Sequence, residues 1–151
     1  MSLVDQALSY VRAISPYQPG KPITELAREM GIPVDKILKL ASNENPLGMS
    51  PKARKAVEAA IGGSERYPDQ FELIAKVAER CGLGQNQVVL GNGSNDVLDL
   101  VARVFLAAGR SAVFAQHAFA VYPLATLSTG AELIATPAKH YGHDLDAMRA
   151  A

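Results

Sequence analysis

The sequence predicts an α/β fold, a mainly parallel sheet with flanking helices. Three observations predict it. From Val88 onward, short apolar runs alternate with longer segments at helical spacing. Proline or glycine punctuates the junctions, at Ser50-Pro51, Gly62-Gly63, Gly82 and Gly109. And 151 residues, 48% hydrophobic and 20% charged, suffice for one domain with a real core.

The elements follow in order. Val4, Leu8, Val11 and Ile14 recur at spacings of three and four, which predicts an amphipathic helix over residues 3–14. The proline-rich stretch from Ser15 to Pro22 stops it. A short helix is predicted over Thr24–Met30, with Thr24 as N-cap and Gly31 as its stop. Ile37–Ala41 reads as a short extended piece and Ser42–Gly48 as a polar loop. Ser50-Pro51 is a strong helix start, serine capping and proline at the first helical position. That helix runs to about Ile61 and ends at Gly62-Gly63. Arg66-Tyr67-Pro68-Asp69 is another break. Phe71, Ile74, Ala75, Val77, Ala78 and Cys81 form one apolar face of a helix ended by Gly82, which places Cys81 in the core. Then come a strand at Val88–Leu90, a helix from Ser94 to about Ala108, and a strand at Ser111–Ala115. A helix from Ala118 to Ser128 contains Pro123 and so kinks or starts late. A strand at Glu132–Thr136 and a helix opening at Asp144 complete the pattern. A parallel sheet of about three strands with an open edge is incomplete. The chain therefore reads as the N-terminal portion of a longer protein.

Composition excludes several classes. Fifteen basic and fifteen acidic residues cancel, so nucleic acid is not an expected partner. No apolar run is long enough to span a bilayer, and no apolar signal segment opens the chain. One cysteine rules out an internal disulfide and a multi-cysteine metal site. A cytoplasmic location is expected. His140 and His143 flank Tyr141-Gly142, but further ligands do not cluster with them; a surface turn is expected there and no metal.

The junction Gly91-Asn92-Gly93-Ser94-Asn95-Asp96 carries the chemical signal. The first N–H groups of a helix lack partners within it, and the helix dipole adds positive charge at that end. Such an end is a ready anion site. Gly91 and Gly93 let backbone approach a ligand without a Cβ in the way, and Ser94 and Asn95 present N–H groups. Taken alone, the hexapeptide is read more simply as a tight turn with an N-cap and nothing bound. It is not a P-loop, because the Gly-Lys-Ser/Thr ending is missing, and its glycine spacing is not that of a dinucleotide fingerprint.

Several further segments occur with it in fixed order: Leu40-Ala41-Ser42-Asn43-Glu44-Asn45-Pro46-Leu47-Gly48, Ser50-Pro51, Arg66-Tyr67-Pro68-Asp69 and Gln116-His117-Ala118-Phe119-Ala120-Val121-Tyr122. The set resembles the N-terminal half of histidinol-phosphate aminotransferases, pyridoxal 5'-phosphate (PLP) enzymes of the aspartate-aminotransferase fold. The likeness runs from Ser15-Pro16-Tyr17 to Asp144. It implies the N-terminal part of the fold type I large domain, preceded by a helical arm. Residues 1–48 would then be the arm and a lid segment, and residues 49–151 the first part of the PLP-binding domain.

The resemblance also assigns roles. Gly93, Ser94 and Asn95 would hold the PLP phosphate. Phe119 would lie over the pyridine ring, with Tyr122 as a second candidate for that wall, though a packed helix face explains Tyr122 equally well. Tyr67 would donate its hydroxyl to the same phosphate from the neighbouring subunit of a homodimer. Tyr17 and the Asn43-Glu44-Asn45 loop would close over the substrate. The implied reaction moves an amino group between glutamate and imidazole-acetol phosphate, with histidinol phosphate and 2-oxoglutarate on the other side of the exchange. Two departures stand at His117 and Ala118, where the family has Pro and Thr, and Asn95-Asp96 replaces Asp-Glu.

The lysine that forms the Schiff base with PLP is implied to lie beyond residue 151, as are the aspartate for the pyridine nitrogen and the arginine for the α-carboxylate. None of Lys21, Lys36, Lys39, Lys52, Lys55, Lys76 and Lys139 has the family's Ser-Lys setting. No catalytic residue is therefore assigned within the chain, and the chain alone is expected not to transaminate. Alternatives at this level are an aromatic aminotransferase or phospho-amino-acid decarboxylase of the same fold, or a non-catalytic fragment or binding module.

Overall fold

The computed structural model describes residues 2–151. They form two compact units, one made of the N-terminal segment through Tyr17 together with Leu73–Ala151, the other of Gln18–Glu72.

In the first unit a βαβ element supplies the framework. Strand β1 (Ser111–Ala115) and strand β2 (Glu132–Thr136) pair in parallel, with Ser111 opposite Glu132 and Ala115 opposite Thr136. Both strands fall on the predicted residues. Helix α6 (Val121–Ser128) connects them. It starts late because Pro123, lacking an N–H, fits only in a first turn whose amides need no intrahelical acceptor. Helix α5 (Ser94–Phe105) packs on α6, and α7 (Leu145–Ala150) packs on β1. Asp144 caps α7, its Oδ1 accepting from the Ala147 N–H at 3.1 Å. Helix α4 (Phe71–Cys81) ends at Gly82 in the left-handed region, φ 66°.

Buried residues are small: Ala78, Ala102, Ala115, Ala125 and Ala131, with Thr126 and Thr136. Small side chains let helices and strands approach closely. The two threonines are satisfied, Thr126 Oγ1 donating to the Tyr122 carbonyl at 2.8 Å and Thr136 Oγ1 to the Phe114 carbonyl at 3.3 Å. Larger apolar side chains, among them Phe71, Leu73, Val89, Val104 and Phe105, stay exposed.

Three expectations in this unit need correction. Val88–Leu90 is extended in part but is not a strand; the sheet has two strands, not three. A strand exists only through its ladder, and among the described residues none pairs with this run. Cys81 is exposed rather than in the core; Ala78, three residues earlier, is the buried member of that helix face. Finally, residues 3–14 do not form one helix. A 3₁₀ turn (Leu3–Gln6) and a short helix α1 (Ser9–Arg12) are separated by Ala7 and Leu8 in extended conformation. Leu3, Val4 and Leu8 are exposed, so the apolar stripe that would sustain a longer helix has nothing to pack on. The segment is held instead by α1 against α6 and by Tyr10. A Cβ at Gly130 would stand 3.2 Å from Tyr10 Cε1, so the ring sits almost on that backbone.

The second unit carries helix α2 (Ile23–Met30) and helix α3 (Pro51–Ala60). Gly31 ends α2 at φ 65°, as expected. Its N-cap is Pro22, not Thr24: the Pro22 carbonyl accepts from Glu25 and Leu26, both at 3.1 Å, which places Thr24 inside the first turn. Lys21 Nζ bonds Glu29 at 2.5 Å; this hydrogen bond raises the ammonium above the ordinary lysine value, desolvation opposes it, and the charges of Glu29 and then Glu25 add to the rise. Ser50 caps α3, accepting from the Ala53 N–H at 3.1 Å with Pro51 at the first position. The Ile37–Ala41 segment forms no strand. Among the described residues no helix is long and apolar enough to cross a membrane.

Candidate cofactor site

The glycine junction folds as a tight turn feeding α5. The Gly93 N–H bonds the Gly91 carbonyl at 2.9 Å, and Gly93 adopts φ 85°, ψ 176°, a conformation all but restricted to glycine. Gly91 is needed for a different reason: a Cβ there would stand 2.9 Å from Val97 Cγ2. Asp96 turns back from the first turn of α5, and its Oδ2 accepts from the Asn92 N–H at 2.9 Å and from Asn92 Nδ2 at 3.4 Å. That carboxylate ties down the loop side of the junction. The N–H groups of Ser94 and Asn95 donate to no acceptor among the described residues, and both residues are exposed. The helix start is thus open, with two free amides and the positive end of the dipole. Asp96 is the one negative group in the turn, and the Asn92 donors partly offset it.

A second cluster lies at the carboxyl end of β1, the side of a parallel sheet where α/β proteins hold ligands. Gln116–Ala120 connects β1 to α6. Phe119 is 45% exposed, an unusual state for a large ring beside a sheet. Tyr17 meets it edge-on, ring centroids 6.4 Å apart at 81°. Tyr122 stacks on Phe114 at 6.4 Å and 23° and is itself 42% exposed. Phe119, Tyr122, Phe114, His117, His143 and Met148 line a concavity of about 340 Å³.

The structure therefore brings Tyr17, Phe119 and Tyr122 together. It records no hydrogen bond or ring contact between the Ser94–Asn95 amides and Phe119. Asn43, Glu44, Asn45 and Tyr67 belong to the second unit. There Asn43 is left-handed (φ 50°), Glu44 pairs with Lys39 at 2.7 Å, and Asn45 closes its own turn, Nδ2 donating to the Gly48 carbonyl at 3.0 Å and Oδ1 accepting from Leu47 at 3.0 Å. Asn45 thus acts as a turn former. Tyr67 is fully exposed. The contact of His117 with Tyr141, stacked at 5.7 Å and 28°, was not foreseen. No sequence periodicity links positions so far apart on separate loops. His140 stands in the Lys139–Gly142 turn and His143 just after it, and no group of three or more metal-ligating side chains gathers among the described residues.

The profile of aminotransferase class I and II matches residues 35–151. Histidinol-phosphate aminotransferase 1 of Dechloromonas aromatica is 90% identical across all of this chain, which covers 42% of that protein. Histidinol-phosphate aminotransferase 2 of Nitrosospira multiformis is 61% identical over 150 residues, 98% of this chain and 38% of its own length. The chain thus spans about two fifths of the relatives it matches. A crystal structure of histidinol-phosphate aminotransferase from Sinorhizobium meliloti, in complex with pyridoxal-5'-phosphate, superimposes with a TM-score of 0.76 over 96% of this chain and 38% of that one. At 20% identity that likeness speaks for the fold, helices around a small parallel sheet as in part of a fold type I transferase. The predicted fold class and the sequence match across most of the chain agree: this chain belongs to the aminotransferase class I and II family.

Proposed function

We propose that these residues form the phosphate cup and one ring wall of a PLP-dependent histidinol-phosphate aminotransferase. The observation that carries the reading is the open start of α5, where Ser94 and Asn95 present free amides after a glycine-only turn. A phosphate ester needs such donors and such a dipole. The half-exposed Phe119 ring offers a flat apolar face for a pyridine, which fits the same group. Bound there, PLP supplies an electron sink for bonds breaking at the α-carbon of an amino acid.

The chain's own residues take the following parts in this proposal. Ser94 and Asn95 bind the phosphate through N–H groups, and Gly93 allows the approach. Phe119 covers one face of the ring, and Tyr122 backs that wall. Tyr17, edge-on to Phe119, borders the substrate, and the Asn43-Glu44-Asn45 loop belongs to the lid. Tyr67, fully exposed, donates its hydroxyl to the phosphate of a partner copy in a homodimer. Residues 1–48 serve as arm and lid, and residues 49–151 as the first part of the cofactor domain. Identity of 90% to an enzyme named for histidinol phosphate supports glutamate and imidazole-acetol phosphate as the exchanging pair, in histidine synthesis. A cytoplasmic location is part of the same proposal.

The 151-residue chain by itself is proposed to be inactive. Six of its seven lysines are exposed, and Lys39 is paired with Glu44, so none stands in a closed site. The test is a ¹⁵N–¹H titration of the chain with PLP, run alongside an assay of amino transfer from glutamate. The expected result is movement of the Ser94 and Asn95 amide signals with no turnover. Static signals at those two positions would refute the phosphate cup, and turnover would refute the missing lysine.

A further inference from the structure

Gln116–Phe119 is a connecting loop, yet it is tethered at several points. The Gln116 N–H bonds the Thr136 carbonyl at 2.9 Å, Gln116 Oε1 accepts from the Ala138 N–H at 3.4 Å, and the Ala118 N–H bonds the Ala115 carbonyl at 2.9 Å. The first reaches the last residue of β2, and the second reaches the loop after it. That loop turns back on itself at Lys139–Gly142, where each end residue donates to the other's carbonyl, at 3.2 and 2.9 Å. Its central residues, His140 and Tyr141, both lie at positive φ, 51° and 62°. Turns of this kind ordinarily use glycine or asparagine there, and a tyrosine at positive φ is an outlier that something must hold. Tyr141 is 91% exposed, so burial does not hold it. Its one recorded ring contact is the stack on His117, two residues before Phe119.

We propose that Tyr141 is a positioning residue: its stack on His117 anchors the loop and thereby sets the angle at which Phe119 faces the cofactor. The consequence for the cofactor rests on the function proposed above. The consequence for the loop does not. Because Tyr141 is exposed, replacing it leaves the core intact, and changes at the loop are read without global unfolding. The His117 N–H donates no hydrogen bond among the described residues, so His117→Pro removes the stacking ring without removing a backbone hydrogen bond.

Hydrogen exchange at the Ala118 and Tyr122 amides reads the loop in the chain without cofactor; both are bonded, the latter to the Phe119 carbonyl at 3.0 Å. Tyr141→Ala is expected to speed exchange at both by at least about fivefold, local opening being cheaper than global unfolding. Tyr141→Phe, which keeps the ring, is expected to leave it unchanged. In the His117→Pro background, Tyr141→Ala is expected to have no further effect. Unchanged exchange in Tyr141→Ala, or equal acceleration by Tyr141→Phe, overturns the proposal. The second arm follows the induced circular dichroism of added PLP. Tyr141→Ala is expected to weaken binding by about threefold or more, and not further in a Phe119→Ala background, since coupled residues do not add. Additive losses overturn the proposal. Absence of PLP binding by the unaltered chain refutes the phosphate-cup reading instead, while the exchange arm still decides whether Tyr141 anchors the loop.

Discussion

Replacing Gly93 by alanine tests the junction directly. Gly93 lies at φ 85°, ψ 176°, and an added Cβ meets nothing within 4 Å. Crowding by neighbours therefore contributes nothing, and the cost is backbone strain alone. Holding an L-residue in that region costs about 1–3 kcal/mol. At 1.4 kcal/mol per factor of ten, the folding equilibrium falls by about 5-fold to about 150-fold. If the backbone relaxes instead, the peptide preceding Ser94 rotates, and the amide it carries leaves the helix mouth. Stability is then partly spared and anion binding is lost. The control is Gly142→Ala in the same compact unit: Gly142 is outside the left-handed region, and its Cβ would make an ordinary 3.5 Å contact with the Lys139 carbonyl. That change is expected to be neutral or to stabilise by about 0.4–1 kcal/mol through the unfolded chain. Urea unfolding followed by circular dichroism gives both midpoints, and PLP titration gives the affinity. A Gly93→Ala protein that matches the original in both midpoint and affinity would refute the argument, as would a Gly142→Ala protein destabilised just as much.

Ser50→Ala removes the side-chain acceptor for the Ala53 N–H and is expected to destabilise α3 by about 1 kcal/mol, read from faster amide exchange at Ala53 and Arg54. Cys81, the single thiol, is expected to react with a thiol reagent in the absence of denaturant; protection until unfolding would contradict its exposed position. The Lys21 ammonium is expected to titrate above the ordinary lysine value, chiefly because Glu29 accepts its hydrogen bond. A folded-state value above the unfolded one means that the interaction is fully present below the unfolded lysine value and fades as pH rises through the folded one. Glu29→Gln should return the ε-carbon titration toward the ordinary value, and an unchanged curve would remove Glu29 as the cause.

Local chemistry was legible where a residue acts on its immediate neighbours. Ser50-Pro51 starts α3, Gly31 and Gly82 end their helices in left-handed conformations, and Asp144 caps α7. Strands β1 and β2 also fell on their predicted residues, because each is an apolar run bounded by turn residues. Periodicity misled where packing had to supply the stability. The stripe from Val4 to Ile14 is helical in spacing, yet the segment breaks at Ala7 and Leu8. Cys81 shares the apolar spacing of α4, but the smaller Ala78 takes the buried place.

By itself the sequence determined the βαβ framework, the capped helix ends and the glycine turn that opens α5, since each depends on backbone preferences within a few residues. Only the tertiary structure decided that Tyr122 stacks on Phe114, that Phe119 meets Tyr17 edge-on, and that Tyr141 meets His117. Two of those pairs join residues distant along the chain, and the third spans the connection from β1 to α6. Their existence depends on how β1, β2 and their loops are set against each other, which no local pattern of residues encodes.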